Sequence, residues 1–534
     1  MSEQQPGSFD LIVIGAGING AGVARDAAMR GLTVCIIDKG DISSGTSSWS
    51  TRLIHGGLRY LEHFELGLVR ESLHERETLL RIAPHLVKPL PILIPIYRGA
   101  RRGKLQIRAG MLLYDLLAKD NALPSYRMLS RDEALKQAPG LNSDGLIAAA
   151  VYYDAQVEFA ERLVLENVLA ARKSGTKVFT YSRVVRLATA NGRATGVELI
   201  CNDQRKALRG DFIINAAGPW VDELLQTTTN TNRLIGGTKG SHIVVAPFRD
   251  APSEALYTEA QTDGRPFFII PWNGNYLIGT TDVHFEGNLD NVSCDESEIE
   301  YLLTETNRVL PRSQLTRNEI LFTYSGVRPL PFTDVRDEQK ITRRHFIRQH
   351  REFANVCSLV GGKLTTYRSL AEQTVDLVFN KLNRQSPKCS TAHVPLPGAE
   401  DYATFAAEFT AKEIFDPTVR NRLLQIYGSR TAELVELCEA NTELMKCLNS
   451  ASPAIRGEIV FAFEQEMAQT LSDCLLRRTM VGLNSDLAIG EDEDAAKVGQ
   501  RFLGWSDDRA KQEVENYRSS LRRFAVPDSK ESVP

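Results

Sequence analysis

The glycine-rich turn GAGING (15–20) is the feature that most constrains how this chain folds. It follows an apolar run, FDLIVI (9–14), and opens a helical stretch (17–31) that ends before a second apolar run, TVCIID (33–38). Strand, turn, helix and strand in that order form a βαβ unit, which requires a parallel sheet covered by helices. The chain is therefore predicted to be an α/β protein.

Each glycine of this turn has a separate task in a dinucleotide site. Gly15 allows the tight turn, Gly17 lets a pyrophosphate approach the backbone, and Gly20 lets helix and strand pack closely. Asp38 ends the second strand, 23 residues after Gly15, where a carboxylate accepts hydrogen bonds from ribose hydroxyls. These residues predict dinucleotide binding, and the alternative is a tight strand-to-helix turn in an α/β fold that binds no nucleotide.

A second glycine pair favours FAD as the dinucleotide. The segment 356–378, VCSLVGGKLTTYRSLAEQTVDLV, has the pattern of a strand, a glycine pair and an amphipathic helix. The N-terminus of that helix can stabilise negative charge on the pyrimidine edge of a reduced flavin. An NAD enzyme usually continues with further βα repeats, whereas this chain runs into a loop rich in hydroxyls and glycines (41–60). FAD is long enough to need both distant elements.

Length, charge and cysteine usage exclude several classes of protein. A chain of 534 residues is expected to form two or three domains, and a net charge of −4 argues against a nucleic-acid partner. The start lacks the pattern of a secretory signal, and no apolar run approaches the ~20 residues that span a bilayer. Eight scattered cysteines without a C-x-x-C pair, and histidines without ligand spacing, predict reduced core thiols and no metal site. A cytoplasmic protein is expected.

Three domains are expected from the order of the patterns. Apolar runs at 241–247, 265–272 and 275–282, separated by turn residues, predict an antiparallel sheet. After a Pro- and Ser-rich connection at 384–400, apolar residues recur at helical spacing up to a tail (524–534) that is expected to fray. We expect a discontinuous FAD-binding domain (1–90, 150–235 and 322–385) interleaved with an antiparallel-sheet substrate domain (91–149 and 236–321), and then an all-helical C-terminal domain (395–525).

Motifs spread from residue 9 to about residue 380 closely resemble those of the FAD-dependent, respiratory sn-glycerol-3-phosphate dehydrogenases. They are, in order, SGTSSWSTRLIHGGLRYLEH, NAAGPWVD, KGSHIVV, IPWNGNYLIGTTD, TYSGVRPL and GGKLTTYRSLAEQ. One departure is Arg52, where the family commonly has lysine. The resemblance implies noncovalent FAD, oxidation of glycerol 3-phosphate to dihydroxyacetone phosphate by hydride transfer to flavin N5, and electron transfer to membrane quinone. It implies cofactor contacts from Gly15, Gly17, Gly20, Asp38, Thr46, Ser47, Ser48, His55, Gly56, Ala217, Gly218, Gly362, Lys363, Leu364 and Thr365.

The reaction also needs a base and a phosphate site. His242 follows a flexible Lys-Gly-Ser turn, and a histidine with a pKa near ~6.5 suits a catalytic base; the alternative is a hydrogen-bonded sheet residue. Phosphate calls for the planar fork of arginine, which favours Arg59 and Arg328, with Tyr60 as a hydroxyl donor. Lys363 is placed to polarise the alkoxide or the flavin. The alternative for each arginine is a solvated surface charge.

The segment 89–120 is the candidate for contact with a membrane surface. Five cations occur close together with no acid between them, beside apolar residues. Such a basic amphipathic segment predicts peripheral binding to anionic headgroups on the inner face of the cytoplasmic membrane; the alternative is a solvated loop that leads into a core helix. The residues are Arg98, Arg101, Arg102, Lys104 and Arg108, with Ile92, Ile94, Ile96, Met111 and Leu112.

Other functions remain open from the residues. An amine or amino-acid oxidase has a related flavin fold but needs a carboxylate-binding site, and a glycerol-3-phosphate oxidase differs only in passing electrons to O2. A nicotinamide dehydrogenase would differ in the absorbance of its cofactor, and a non-catalytic FAD-binding scaffold would lack turnover. The sequence does not fix the electron acceptor or the oligomeric state, and a homodimer is compatible with it.

Overall fold

The structure, a computed structural model, describes residues 7–61, 64–118, 123–227, 233–333, 344–450 and 452–527. Its strands are β1 (Ser8–Ile14), β2 (Val34–Ile37), β3 (Leu53–Ile54), β4 (Val87–Tyr97), β5 (Arg127–Ser130), β6 (Leu146–Val157), β7 (Lys177–Phe179), β8 (Ser182–Ala190), β9 (Arg193–Cys201), β10 (Gln204–Asn215), β11 (Thr238–Val245), β12 (Ala255–Glu259), β13 (Pro266–Trp272), β14 (Asn275–Gly279), β15 (Val283–His284), β16 (Ile320–Arg328), β17 (Phe346–Gln349) and β18 (Val356–Val360). Its helices are α1 (Ile18–Met29), α2 (Leu66–Ile82), α3 (Lys104–Leu117), α4 (Arg131–Gln137), α5 (Ala160–Lys173), α6 (Val221–Gln226), α7 (Glu296–Val309), α8 (Tyr367–Lys381), α9 (Tyr402–Ala411), α10 (Pro417–Tyr427), α11 (Thr431–Glu439), α12 (Arg456–Glu464), α13 (Leu471–Arg477), α14 (Glu491–Phe502) and α15 (Asp507–Ser520).

The first sheet is built around the predicted βαβ unit. Its strands run in the order β17-β18-β10-β1-β2-β7, and β8 and β9 extend it beyond β10. β1 is parallel to both β2 and β10, and β10 is parallel to β18. The carboxyl ends of β1, β10 and β18 therefore lie at one edge, where a parallel sheet binds its ligands. Helices α1, α5 and α8 pack together on one face of this sheet.

The second sheet is largely antiparallel and runs β15-β11-β14-β13-β12-β4-β6-β3, with β16 beside β11 and β5 beside β6. The α/β class, with an added antiparallel sheet, is confirmed. Strands β4, β6 and β16 cross the predicted domain borders, and all three lie in this second sheet. The three-part division is our proposal for the domain organisation, with these strands assigned to the substrate domain.

The C-terminal segment from α9 to α15 is helical, as predicted, and its core is continuous with that of the second sheet. Asp41, near the start of the hydroxyl-rich loop, accepts hydrogen bonds from Arg477 and Arg478 at 2.6 and 2.8 Å. The frayed tail was predicted to begin at Phe524, which is wrong for its first residues. Phe524 is buried and Ala525 O accepts a hydrogen bond from Thr323 Oγ1, while 528–534 lie outside the described residues.

The prediction of a membrane-binding segment is wrong for four of its five apolar residues, which are buried. Ile92, Ile94 and Ile96 lie in β4, between β6 and β12, and they are buried, as is Met111. Leu112 is exposed, and the other exposed apolar side chains nearby lie on the outer face of α3 and around the start of α2: Phe64, Leu66, Leu105, Leu113 and Leu116. Of the predicted cations, all but Arg102 are exposed; Arg102 forms an ion pair with Glu259. No helix among the described residues is both long and apolar enough to cross a bilayer.

Candidate functional site

A cavity of about 1050 Å³ brings residues of the two sheets together. Its walls include the first glycine turn, the hydroxyl-rich loop, the ends of β10 and β16, and the second glycine turn after β18. Nearly all of the predicted site residues line it. These are Gly15, Gly17, Asp38, Thr46, Ser47, His55, Arg59, Tyr60, Ala217, Gly218, His242, Arg328, Gly362, Lys363, Leu364 and Thr365.

The first glycine turn is tight for steric reasons. Gly15 has φ +105°, and a Cβ there would lie 2.5 Å from the carbonyl oxygen of Ala216 at the end of β10. A Cβ on Gly20 would lie 1.9 Å from Gly15 O, so Gly20 allows α1 to pack on the turn. Larger residues at Gly15 and Gly20 would push the helix N-terminus away from the cavity.

Asp38 holds the same turn in place. Its carboxylate accepts hydrogen bonds from the backbone N–H groups of Ala16 at 2.6 Å and Gly40 at 2.9 Å. Burial raises the pKa of Asp38, against the effect of these two hydrogen bonds. Asp38 therefore has a structural contact in addition to its predicted contact with ribose, which stays a prediction.

The two glycine turns are in direct contact. Asn19 Nδ2, in the first turn, donates to Gly361 O at 3.3 Å, and a Cβ on Gly362 would lie 3.0 Å from the same nitrogen. Ser47 Oγ accepts from Ile18 N at 3.0 Å, which ties the hydroxyl-rich loop to the start of α1. Sequence reasoning missed Asn19, although it is the polar residue of the GAGING motif.

Three predicted cofactor residues lie just outside the cavity wall. Gly20 is under α1, as described above. Ser48 is buried and donates to Ser43 O, which shapes the loop from inside. A Cβ on Gly56 would lie 2.4 Å from Tyr114 Oη, so this glycine is needed for packing against α3. These three residues lie behind the wall and support it, and none of them lines the cavity.

His242 lies in the middle of β11 and faces the cavity. A Cβ on Gly279, its neighbour on β14, would lie 2.4 Å from His242 Cδ2, so the glycine makes room for the ring. His242 Nε2 lies 2.9 Å from Thr51 Oγ1, and Nδ1 has no hydrogen-bond partner among the described residues. Burial and the positive charges of Arg328 and Arg52 lower the pKa of His242 well below its ordinary value. The ring is therefore neutral at physiological pH and able to accept a proton.

Arg328, at the end of β16, is held in a fixed orientation. Its Nη1 donates to Asp282 Oδ1 at 3.0 Å, and its Nη2 donates to Thr280 Oγ1 at 2.9 Å. A Cβ on Gly240 would lie 2.2 Å from Arg328 Nη2, so only glycine allows this arrangement. Arg265 also lines the cavity and donates from Nη1 to the backbone oxygen of Asp282. Arg265 Nη1 also lies 3.9 Å from Asp282 Oδ2, and its Nε lies 3.4 Å from Asp263 Oδ2. Two guanidinium groups and the Asp282 carboxylate thus line this part of the cavity.

Sequence reasoning missed Arg265, Thr280 and Asp282. A signal for them was present, because the motif IPWNGNYLIGTTD ends in two hydroxyls and a carboxylate directly after a strand. Arg265 stands immediately before β13. Polar side chains at strand ends are the usual source of site residues on such a scaffold.

Lys363 and Tyr60 are close to each other on another wall. The Lys363 ammonium lies 3.8 Å from the centre of the Tyr60 ring, a cation–π contact, and its Nζ donates to Ser72 Oγ at 3.4 Å. The backbone N–H of His55 donates to Thr365 Oγ1 at 3.2 Å, which joins the hydroxyl-rich loop to the second glycine turn. Burial lowers the pKa of His55 to about 4, so this ring is also neutral.

Comparison with known proteins identifies the family. Residues 10–377 match the model of the FAD dependent oxidoreductases, and residues 389–510 match that of the C-terminal domain of alpha-glycerophosphate oxidase. The chain is 45% identical to a glycerol-3-phosphate dehydrogenase from Synechocystis, over 98% of each chain. The chain belongs to the FAD-dependent glycerol-3-phosphate dehydrogenase family. The chain is also 36% identical to a D-erythritol 1-phosphate dehydrogenase of Brucella abortus, over 94% of this chain and 98% of the relative.

A solved family structure extends the similarity to the whole fold. The crystal structure of the glycerol-3-phosphate dehydrogenase from Bacillus halodurans, complexed with FAD, has a TM-score of 0.80 and 28% identity. The match covers 100% of this chain and 97% of that chain. The resemblance predicted from the motifs is confirmed, and so is the predicted FAD dependence.

The residues of this family member fit FAD. The cavity reaches the upper end of the roughly 300–1,000 Å³ of drug-sized ligand pockets, as a large dinucleotide requires. Asn19 Oδ1 and Trp220 Nε1 are buried atoms on residues of its wall, and neither has a hydrogen-bond partner among the described residues. At Gly218, which has φ +58°, a Cβ would meet nothing within 4 Å, so the wall is open there. Unsatisfied polar atoms around a large cavity are expected where a polar ligand completes the site.

Proposed function

We propose that this protein uses FAD to oxidise sn-glycerol 3-phosphate to dihydroxyacetone phosphate and passes the electrons to quinone. The observation that carries this proposal is that His242, Arg328 and Lys363 line the same cavity as the two linked glycine turns. A base and cations thus lie next to the place where FAD fits. The family relatives named for the same reaction support the substrate assignment.

The substrate phosphate binds at the wall formed by Arg328 and Arg265. Guanidinium groups bind phosphate oxygens through paired, charge-assisted hydrogen bonds. Asp282 and Thr280 keep the Arg328 fork in one orientation before the phosphate arrives, which lowers the entropy lost on binding. Arg59 and Tyr60 line the same cavity and complete the proposed substrate-binding set.

His242 accepts the proton of the substrate hydroxyl. Thr51 bonds one ring nitrogen and so fixes the orientation of the imidazole. The low pKa of His242 keeps the ring unprotonated before substrate arrives, as a general base must be, and it also makes the ring a weaker base than an ordinary histidine. Lys363 stabilises the negative charge that develops on the oxygen as the proton leaves. When bound, FAD supplies the two-electron acceptor for the hydrogen on the adjacent carbon.

Anaerobic reduction of the bound flavin tests this assignment. Glycerol 3-phosphate should bleach the flavin, while glycine and sarcosine should not, because they lack both the phosphate and the secondary hydroxyl that the proposed site binds. D-erythritol 1-phosphate, the substrate named for one relative, belongs in the same series. Bleaching by sarcosine alone would refute the proposal. Reoxidation of the reduced protein by a soluble quinone analogue, faster than by O2, would support quinone as the acceptor.

We also propose that the outer face of α3 rests on the inner surface of the cytoplasmic membrane, where quinone is found. Leu105 and Leu116 are 81% and 70% exposed, and Lys104 and Arg108 lie on the same helix. Exposed leucines beside cations suit insertion into an anionic lipid surface. A homodimer stays a proposal too, which sedimentation of the purified protein would test.

Flotation with vesicles containing anionic lipid tests the membrane surface. The double variant L105S/L116S should lose binding, and R101Q/R108Q should weaken it in a salt-dependent way. The matched control is R193Q/K206Q, which removes two exposed cations from the first sheet. Equal flotation of all variants would contradict this surface.

A further inference from the structure

The chain returns to the cavity through its C-terminal end. After α15, a 3₁₀ turn (Leu521–Phe524) packs on β16, the strand that ends in Arg328. The Phe524 ring lies edge-on to Trp49, with ring centres 5.5 Å apart, and edge-on to Phe322 at 5.8 Å. The Phe524 side chain is buried and holds the turn against the second sheet.

Arg523, within this turn, extends into the wall of the cavity. Its guanidinium lies over the Trp49 ring, 3.8 Å from the ring centre. Among the described residues no carboxylate pairs with Arg523, and its buried Nε has no hydrogen-bond partner. Burial and the nearby charge of Arg477 lower the pKa of Arg523 to about 10, which still leaves it positively charged at neutral pH.

The Arg523 side chain is partly exposed, but its Nε is buried, and a charged group withdrawn from water is costly unless an opposite charge pairs with it. The buried arginines near the loop are paired: Arg477 and Arg478 share Asp41, and Arg52 donates from Nη1 and Nη2 to Glu161. Arg52 also lines the cavity but is paired with Glu161, whereas no carboxylate among the described residues pairs with Arg523. The missing negative charge is therefore expected to come from a molecule bound there.

We propose that Arg523 binds a phosphate oxyanion in this cavity, so that the helical C-terminal domain contributes a residue to the ligand site. This rests on the proposed function, which places two sources of phosphate there: the pyrophosphate of FAD and the phosphate of the substrate. The position of Trp49 is compatible with both. Trp49 lies two residues after Ser47, whose side chain accepts a hydrogen bond from the start of α1. Its ring centre lies 5.9 Å from that of Tyr324, the residue of β16 that pairs with His242 of β11.

Binding measurements on the variant R523Q distinguish the sources. Its matched control is R522Q, which removes the adjacent, exposed arginine. FAD affinity is measured on the apoprotein by quenching of flavin fluorescence, and phosphate-site affinity by inorganic phosphate as an inhibitor and by the KM for glycerol 3-phosphate. An FAD dissociation constant raised at least tenfold in R523Q, but not in R522Q, identifies the cofactor pyrophosphate. An equal rise in KM and in the phosphate inhibition constant, with FAD affinity unchanged, identifies the substrate phosphate.

The variant R523K guards against a change in folding, because it keeps the charge without the planar fork. Its loss of affinity should lie between those of R522Q and R523Q. If R523Q, R523K and R522Q share the same FAD affinity and the same phosphate inhibition constant, Arg523 is not a phosphate ligand. The FAD affinity is measured without turnover, so its result does not depend on whether glycerol 3-phosphate is the substrate.

Discussion

Replacing Arg328 by alanine tests the phosphate site most stringently. A hydrogen bond to a charged group contributes about 1.5–3 kcal/mol. Losing one such contact should therefore raise the KM for glycerol 3-phosphate by roughly 10- to 150-fold. FAD should stay bound, because the contact between the glycine turns does not involve Arg328.

Asp282 makes the expected loss larger, and this offers an internal check. In R328A its carboxylate loses the 3.0 Å contact with Arg328 Nη1 and still faces the phosphate site. Two like charges about 6 Å apart repel by roughly 3 kcal/mol at an effective dielectric constant of about 20. Removing that charge in the double variant R328A/D282N should lower KM at least tenfold relative to R328A.

Steady-state turnover with a dye acceptor gives the KM values, and the visible spectrum of each purified variant gives its flavin content. An unchanged KM in R328A would refute the assignment of the phosphate to this wall. A double variant no better than R328A would show that Asp282 does not face the bound phosphate.

The remaining predictions concern the base, the linked turns and acid stability. H242A should slow anaerobic flavin reduction by about 10²-fold or more with little change in substrate affinity, and equal reduction rates would rule out His242 as the base. Because the pKa of His242 is lowered, kcat/KM should fall with acid only below about pH 6.5, and an acid limb above that value would contradict the neutral base. N19A should weaken FAD binding to the apoprotein several-fold, since the contact with Gly361 is lost; N516A, on an exposed face of α15, is the control. Burial lowers the pKa of His85 to about 3. Above pH 6.5 the ring is neutral in both the folded and the unfolded chain, so the free energy of unfolding keeps its full value. Below pH 6.5 only the unfolded chain binds the proton, and the free energy of unfolding falls by about 1.4 kcal/mol per pH unit. Between pH 7 and pH 5 the variant H85N should thus lose about 2 kcal/mol less stability in urea unfolding than the parent, and equal losses would contradict a neutral His85.

The local parts of the fold were predictable because their signals are local. The strand, glycine turn and helix around Gly15 follow from steric rules over some thirty residues, and the structure has them as β1, α1 and β2. The contact between Asn19 and Gly361 joins residues 342 positions apart. No spacing rule reveals such a contact, since it depends on β10 pairing with both β1 and β18.

The errors also have physical causes. A strand buried on both faces has a continuous apolar sequence, so the run around Ile94 resembled a surface for lipid when it is the interior strand β4. The role of Asp282 depends on the fold of the second sheet, which carries it to Arg328, 46 residues further along the chain. Arg523 escaped notice because the sequence near it, LRRFAVP, has the composition of a surface tail.

A crystal structure of the protein with FAD and dihydroxyacetone phosphate would test the central claim most directly. The account predicts one flavin in contact with both glycine turns, with the product phosphate bound by Arg328 and its carbonyl oxygen next to His242. A flavin that touches only the first turn, or a phosphate bound away from both guanidinium groups beside Asp282, would contradict it.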